Sequence, residues 1–188
     1  MELQIKNLSH RFGDKVIFEN ISLSLRDGGL YGLTAPSGRG KTTLLRILMG
    51  LLTPDAGTIP QGVRYSAVFQ TDRLLPGKSP VEQLLFVHGG KKDREAAARF
   101  LSGLLPENSL TQPVGELSGG MQRRVAIARA LWAESDAVLM DEPFTGLDET
   151  TLRQTADFIL ARRQGRTLLL STHQKELLSA YPFEWLTL

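Results

Sequence analysis

Cysteine is absent from all 188 residues. That excludes disulfide staples and thiolate metal sites, and it is compatible with a reducing compartment. Long apolar runs are missing too. No segment approaches the ~20 residues of a helical membrane span, and the N-terminal Met1-Glu-Leu-Gln-Ile-Lys6 has no apolar signal-peptide stretch. The expectation is a soluble protein whose dealings with a membrane pass through a partner. Charge of one sign is scarce: Lys and Arg number 22 against 20 Asp and Glu, a net +2 that is too weak to argue for nucleic acid. The basic clusters Lys91-Lys-Asp-Arg94, Arg123-Arg124 and Arg162-Arg163 have no interleaved aromatics for base stacking. They read as solvated helix faces, and no nucleic-acid partner is expected. Neither internal repeats nor low-complexity segments occur, and the length suits one well-buried domain.

What is present begins with Ala35-Pro-Ser-Gly-Arg-Gly-Lys-Thr42. It is a near match to the glycine-rich turn in which backbone N–H groups wrap phosphates and a lysine reaches the β/γ oxygens. Apolar Leu30-Tyr-Gly-Leu33 precedes it and Leu44-Leu-Arg-Ile-Leu-Met49 follows, the strand, loop and helix context the motif requires. Gly38 and Gly40 let the main chain approach phosphate, and the helix opening near Lys41 points its N–H groups and positive dipole end at it. Thr42 offers a hydroxyl to Mg²⁺. One departure stands out: the pattern begins with Gly, whereas this chain has Ala35. If that position requires positive φ, the added Cβ costs stability or affinity; if its dihedrals are ordinary, Ala costs little.

A second site of chemistry is Ala137-Val-Leu-Met-Asp-Glu142-Pro143, an apolar run ending in two carboxylates. It reads as a buried parallel strand, whose C-terminal edge borders the crevice where open α/β sheets bind ligands. Asp141 fits a Mg²⁺ ligand and Glu142 the base that orients the attacking water. A third is Leu117-Ser-Gly-Gly-Met-Gln122, followed by residues 122–132 with apolar positions at helical spacing. Gly119 and Gly120 thus expose amides at a helix N-terminus, a second anion-binding turn additional to that at Lys41.

Taken in order, these motifs resemble the nucleotide-binding subunit of ABC transporters over essentially the whole chain. The resemblance implies that Ala35, Pro36, Ser37, Gly38, Arg39, Gly40, Lys41, Thr42 and Thr43 cradle ATP, and that Phe12 stacks on its adenine. Gln70, after Ala67-Val-Phe69, matches the Q-loop glutamine, implying contact with Mg²⁺ and the attacking water. Ser118, Gly119, Gly120 and Met121 match the signature, with Met121 where Gln is commoner. It implies that this turn grips the γ-phosphate held on a partner's glycine loop, so that a head-to-tail dimer buries two nucleotides. Gly146-Leu-Asp148 matches the D-loop and His173 the switch histidine. Catalysis would then rest on Glu142, His173, Gln70 and Lys41, with Mg²⁺ on Thr42, Gln70 and Asp141. Implied partners are an integral membrane permease subunit, a second copy or a homologous ATPase, and an extracytoplasmic substrate-binding protein. The chain would sit on the cytoplasmic face of the membrane through the permease. Thr71-Asp-Arg-Leu-Leu-Pro76 further resembles importers of the nitrate, sulfonate and taurine group.

The expected fold is α/β, a P-loop NTPase core of RecA/ABC type with a small N-terminal antiparallel β-subdomain and an inserted α-helical subdomain. Leu3 to Lys6, Val16 to Phe18 and Ile21 to Leu25 read as half-exposed strands, and Phe183 to Leu188 as a final one. Residues 71–135 form the helical insertion, with helix from Pro80 to about Leu105 interrupted at His88-Gly-Gly-Lys91; residues 1–70 and 136–188 form the core. Few residues remain for a regulatory C-terminal domain. Two alternatives stay open: a soluble ABC ATPase of translation or DNA repair, for which length and heptads are lacking, and a weakly hydrolysing nucleotide-gated module. Lys41→Ala is expected to weaken nucleotide binding, and an unchanged affinity in a titration would count against the glycine-loop assignment.

Overall fold

Buried and exposed residues alternate over much of Leu3–Phe12, and that alternation becomes one arm of a hairpin. The computed structural model describes residues 2–36, 38–87 and 93–188. The chain divides into two units, Met1–Ala67 with Ser135–Glu142 and Gly165–Leu188, and Val68–Glu134 with Pro143–Gln164.

In the first unit, β1 (Leu3–Phe12) pairs antiparallel with β2 (Lys15–Leu25), from Leu3 opposite Leu25 to Phe12 opposite Lys15. The separate short strands expected here are thus one long hairpin. Its register shifts at bulges, and Asn7 lies near one of them with φ 49°. Counting β strands and α helices in chain order, β4 (Ala56–Thr58) lines the other side of β1 and completes a three-stranded sheet. A second sheet has the order β5-β6-β7-β3-β8, formed by β3 (Leu30–Thr34), β5 (Tyr65–Val68), β6 (Ala137–Asp141), β7 (Thr167–Ser171) and β8 (Glu184–Thr187). β3 runs parallel to β7 and β8, and β6 parallel to β7. Every residue of β6 and β7 is buried, which is why both read as continuous runs rather than alternations. Helix α1 (Lys41–Leu48) buries Leu44, Leu45, Ile47 and Leu48 in one core with Leu3, Ile5 and Leu8 of β1 and with Leu33, Leu139 and Leu169.

The second unit is helical. Ser79 and Glu82 close a capping box on α2 (Pro80–Phe86), with proline in its first turn, and Asp93 caps α3 (Arg94–Leu101). The helical stretch expected from Pro80 to about Leu105 contains these two short helices, and its expected interruption at His88-Gly-Gly-Lys91 lies outside the described residues. Helices α4 (Gly119–Trp132) and α5 (Glu149–Arg162) complete the unit. Phe100 sits edge-on to Trp132 and Phe158, at centroid separations of 4.9 and 5.5 Å. Gln83 of α2, 1% exposed, accepts from the Leu75 N–H and donates to the Leu75 carbonyl, pinning the segment ahead of its helix. The Arg123-Arg124 cluster departs from the solvated face expected of it, because Arg123 is 7% exposed. Among the described residues no helix is long and apolar enough to cross a membrane.

Gly32 of β3 lies beside Trp185 of β8, and a Cβ built there would stand 2.3 Å from the indole Cζ3 and 2.4 Å from Cε3. Gly32→Ala is therefore expected to destabilise the protein by about 1–3 kcal/mol through overpacking. Urea unfolding measures it, and the double variant Gly32→Ala/Trp185→Leu should recover part of the loss.

Candidate functional site

The turn between β3 and α1 depends on two glycines. Gly38 has φ 77°, and Gly40, the N-cap of α1, has φ 92°. A Cβ on Gly40 would also meet Ile17 Cγ2 at 2.6 Å and Phe18 Cδ1 at 2.9 Å, so glycine is required there by conformation and by space. Ala35 is not among the residues with positive φ, so its Cβ carries no conformational cost. Arg39 N–H donates to the Pro36 carbonyl at 3.2 Å, closing the turn; Ser37 lies outside the described residues. Half-buried Thr42 and Thr43 stand in the first turn of α1, which holds no acidic side chain. The first N–H groups of a helix lack intrahelical acceptors, so this end suits an anion. Lys41, 7% exposed, folds its ammonium back onto the Ala35 carbonyl at 2.9 Å.

Beyond β6 and β7 the polar residues gather. Asp141, 5% exposed, pairs in register with Ser171, whose hydroxyl donates to Asp141 Oδ1 at 2.7 Å. The Ser171 hydroxyl oxygen in turn accepts the Glu142 N–H at 3.0 Å, and the Ser171 carbonyl accepts it at 3.2 Å. Glu142 turns the chain sharply, with φ 50°. This left-handed conformation costs a non-glycine residue roughly 1 kcal/mol. Its carboxylate meets His173: Oε2 accepts the His173 backbone N–H at 3.2 Å, while Oε1, buried and without a hydrogen bond, stands 3.1 Å from ring Nε2. Nε2 also lies 3.4 Å from the Lys41 ammonium. It therefore sits between a group that only donates and one that only accepts, and a single tautomer cannot satisfy both. Phe12, half exposed at the end of β1, leans edgewise on His10 with centroids 4.8 Å apart. Lys41, Asp141, Glu142 and His173 thus form one contiguous set.

The second unit gathers the remaining motifs around the start of α4. Ser118 caps the helix by accepting the Met121 N–H at 3.3 Å, and the first turn again has no acid. A Cβ on Gly120 would stand 3.2 Å from Leu147 Cδ2, so the residue pairs closely with the 146–148 loop. Asp148 caps α5, accepting the Thr151 N–H at 2.9 Å and hydroxyl at 2.7 Å. Those two bonds hold its carboxyl below the usual range. Gln70, two residues past β5, has its carbonyl bound by Arg123 Nη2 at 2.6 Å. Sequence reasoning passed over Ser171 and Arg123. A serine closing a buried apolar run is a faint signal, and nothing in the local sequence marks Arg123.

Against known proteins, the family described as ABC transporter matches residues 18–145. The Nod factor export ATP-binding protein I of Burkholderia orbicola is 38% identical over 194 residues, covering 93% of this chain. The chain spans 63% of that relative's length. An aliphatic sulfonates import ATP-binding protein of Nocardia farcinica is 37% identical over 174 residues, covering 91% of this chain and 71% of the relative. Among solved structures, a dimeric ATP-binding cassette in a post-hydrolysis state with ADP and Pi superposes with TM-score 0.81 at 26% identity, over 93% of this chain and 89% of that one.

Because Ala35 has no positive φ to relieve, Ala35→Gly is expected to move nucleotide affinity less than about twofold while lowering stability by about 0.4–1 kcal/mol through unfolded-chain entropy. A titration with a fluorescent nucleotide and a thermal melt read the two effects, and a large gain in affinity would contradict the geometry.

Proposed function

We propose, from the premise that this chain belongs to the ABC transporter family, that it is a Mg²⁺-dependent ATPase cassette powering transport through a membrane partner. The observation that carries the reading is the contiguous set in the first unit. An ammonium, an imidazole, a carboxylate bearing an orphaned oxygen and a second, buried carboxylate adjoin a glycine turn at a helix N-terminus. Phosphoryl transfer needs positioning and charge stabilisation more than covalent chemistry, and these groups supply both.

In this reading the turn from Ala35 to Thr43 wraps the phosphates and Lys41 swings from the Ala35 carbonyl to the β/γ oxygens. Phe12 stacks on the adenine. The residues present suit Mg²⁺: the Thr42 hydroxyl, the Gln70 amide oxygen and the Asp141 carboxylate are all hard oxygen donors. No group of three metal-binding His, Cys, Asp or Glu side chains occurs among the described residues, as fits an ion held largely by phosphates and water. When bound, the ion would neutralise charge on the β and γ oxygens. Glu142 takes the proton of the attacking water, and His173, already against that carboxylate, turns its ring to the γ-phosphate.

The turn of Ser118, Gly119, Gly120 and Met121 completes the site of a second copy or of a homologous ATPase, with Asp148 coupling the two. Hydrolysis then removes the group both sides grip. The permease partner, a cytoplasmic position beneath it and an extracytoplasmic binding protein belong to the same proposal. Support comes from the relatives, whose names are those of transport ATP-binding proteins, one for export and one for import. The cargo follows from the membrane subunit.

Glu142→Gln is expected to bind ATP, accumulate as a closed dimer and lose roughly 10²-fold or more in turnover, because geometry survives while the base is gone. Phosphate release and light scattering measure this, and wild-type turnover would overturn the assignment of Glu142. Tagged Glu142→Gln drawn from solubilised host membranes with Mg-ATP should carry a multi-span membrane protein; ribosomal or DNA-bound partners alone would overturn the transport role.

A further inference from the structure

Beyond β5, residues 69–73 lie outside any strand or helix, and donors reach their carbonyls from another element. Arginines of α4 supply them. Arg123 Nη1 donates to the Phe69 carbonyl and Nη2 to the Gln70 carbonyl, both at 2.6 Å. Arg129 donates to the Asp72 carbonyl at 2.9 Å and to the Arg73 carbonyl at 2.8 Å. Arg73 itself lies at φ 49° with its guanidinium 3.8 Å from the Phe69 ring centroid, which tightens the same bend. Asp72 Oδ1 stands 2.9 Å from Arg123 Nη1 as counter-charge. Burial pushes the Asp72 carboxyl up against the pull of both arginines. Buried charge of this kind is a costly way to gain stability alone. A guanidinium spans two neighbouring carbonyls with its planar fork, which an ammonium, a point donor, cannot do.

We propose that Arg123 is a positioning residue for Gln70, tying that residue's backbone to the first two turns of α4 so that the Ser118 anion turn and the Gln70 side chain are carried by one rigid piece. An anion gripped at the α4 N-terminus then moves Gln70, and displacement of the 69–73 segment is felt at Ser118. The proposal deepens the ATPase reading and rests on it and on the role assigned there to Gln70.

The test measures Mg-ATP turnover, ATP affinity and melting temperature for the full chain carrying Arg123→Met, Arg123→Lys or Gln70→Ala, and for the Arg123→Met/Gln70→Ala pair. Arg123→Met should lower kcat roughly tenfold while ATP Kd moves less than about twofold, since nucleotide affinity resides in the glycine loop. Arg123→Lys, which keeps the charge and loses the fork, should melt near wild type without restoring kcat. In the Gln70→Ala background Arg123→Met should cause no further loss, because a residue acting through Gln70 has nothing left to act on. Equal fractional losses in both backgrounds, full rescue by lysine, or wild-type kcat in Arg123→Met would each overturn the proposal. Wild-type turnover in Gln70→Ala would remove the role of Gln70 and this proposal with it, yet leave the ATPase reading intact; absence of turnover in the wild-type chain would remove that reading itself.

Discussion

Parallel, in-register pairing at the centre of the second sheet is the constraint on which the first unit depends. Asp141 lies opposite Ser171, and Leu33 of β3 lies opposite the same serine. The glycine turn, the two carboxylates and His173 therefore all leave the sheet at one edge. Side chains along a strand alternate faces, so a slip of one residue would invert β6 or β7 and take the Ser171 hydroxyl off Asp141. Apolar burial on both faces is what resists that slip, since all ten positions of the two strands are buried.

The polar edge inherits its geometry from this packing. Glu142 adopts a left-handed backbone immediately after a buried strand, and the hydroxyl and carbonyl of Ser171 both accept its N–H. Those bonds offset the conformational cost and leave the carboxylate against His173. Strain held in place by a rigid support is the condition under which a functional side chain keeps an unfavourable conformation. Lys41, His173 and Glu142 then satisfy one another only in part, which leaves polar capacity for a charged ligand.

In the second unit, residues singled out for ligand chemistry also hold the fold. Ser118 and Asp148 cap α4 and α5. A cap uses only the acceptor side of the serine hydroxyl, so Ser118 retains its O–H as a donor while the first-turn amides of α4 stay free of intrahelical partners. Structural and functional readings of such positions are therefore compatible. Gly120, packed against Leu147, sets how closely the 146–148 loop approaches that turn.

Legibility from sequence followed the range of the interactions involved. The glycine turn, the Asp-Glu pair, the Ser-Gly-Gly turn and the apolar strands β3 and β6 are local patterns, set by backbone freedom, charge and periodicity within a few residues, and they were readable as such. Helix α5 was not: its buried face is Leu152, Thr155, Ala156 and Ile159, where only two residues are large and apolar. The long hairpin was broken into pieces because its bulges interrupt the period of two. Arg123 read as solvated charge, whereas it donates to the carbonyls of Phe69 and Gln70, more than fifty residues earlier in the chain. The ordinary backbone of Ala35 and the grip of Ser171 on both carboxylate residues belong to the same class. The sequence alone determined which groups are available for phosphate chemistry, because residue type and short spacing carry that information. Tertiary structure alone decided which of them meet and in what conformation, because those outcomes depend on pairing and burial between segments distant in the chain.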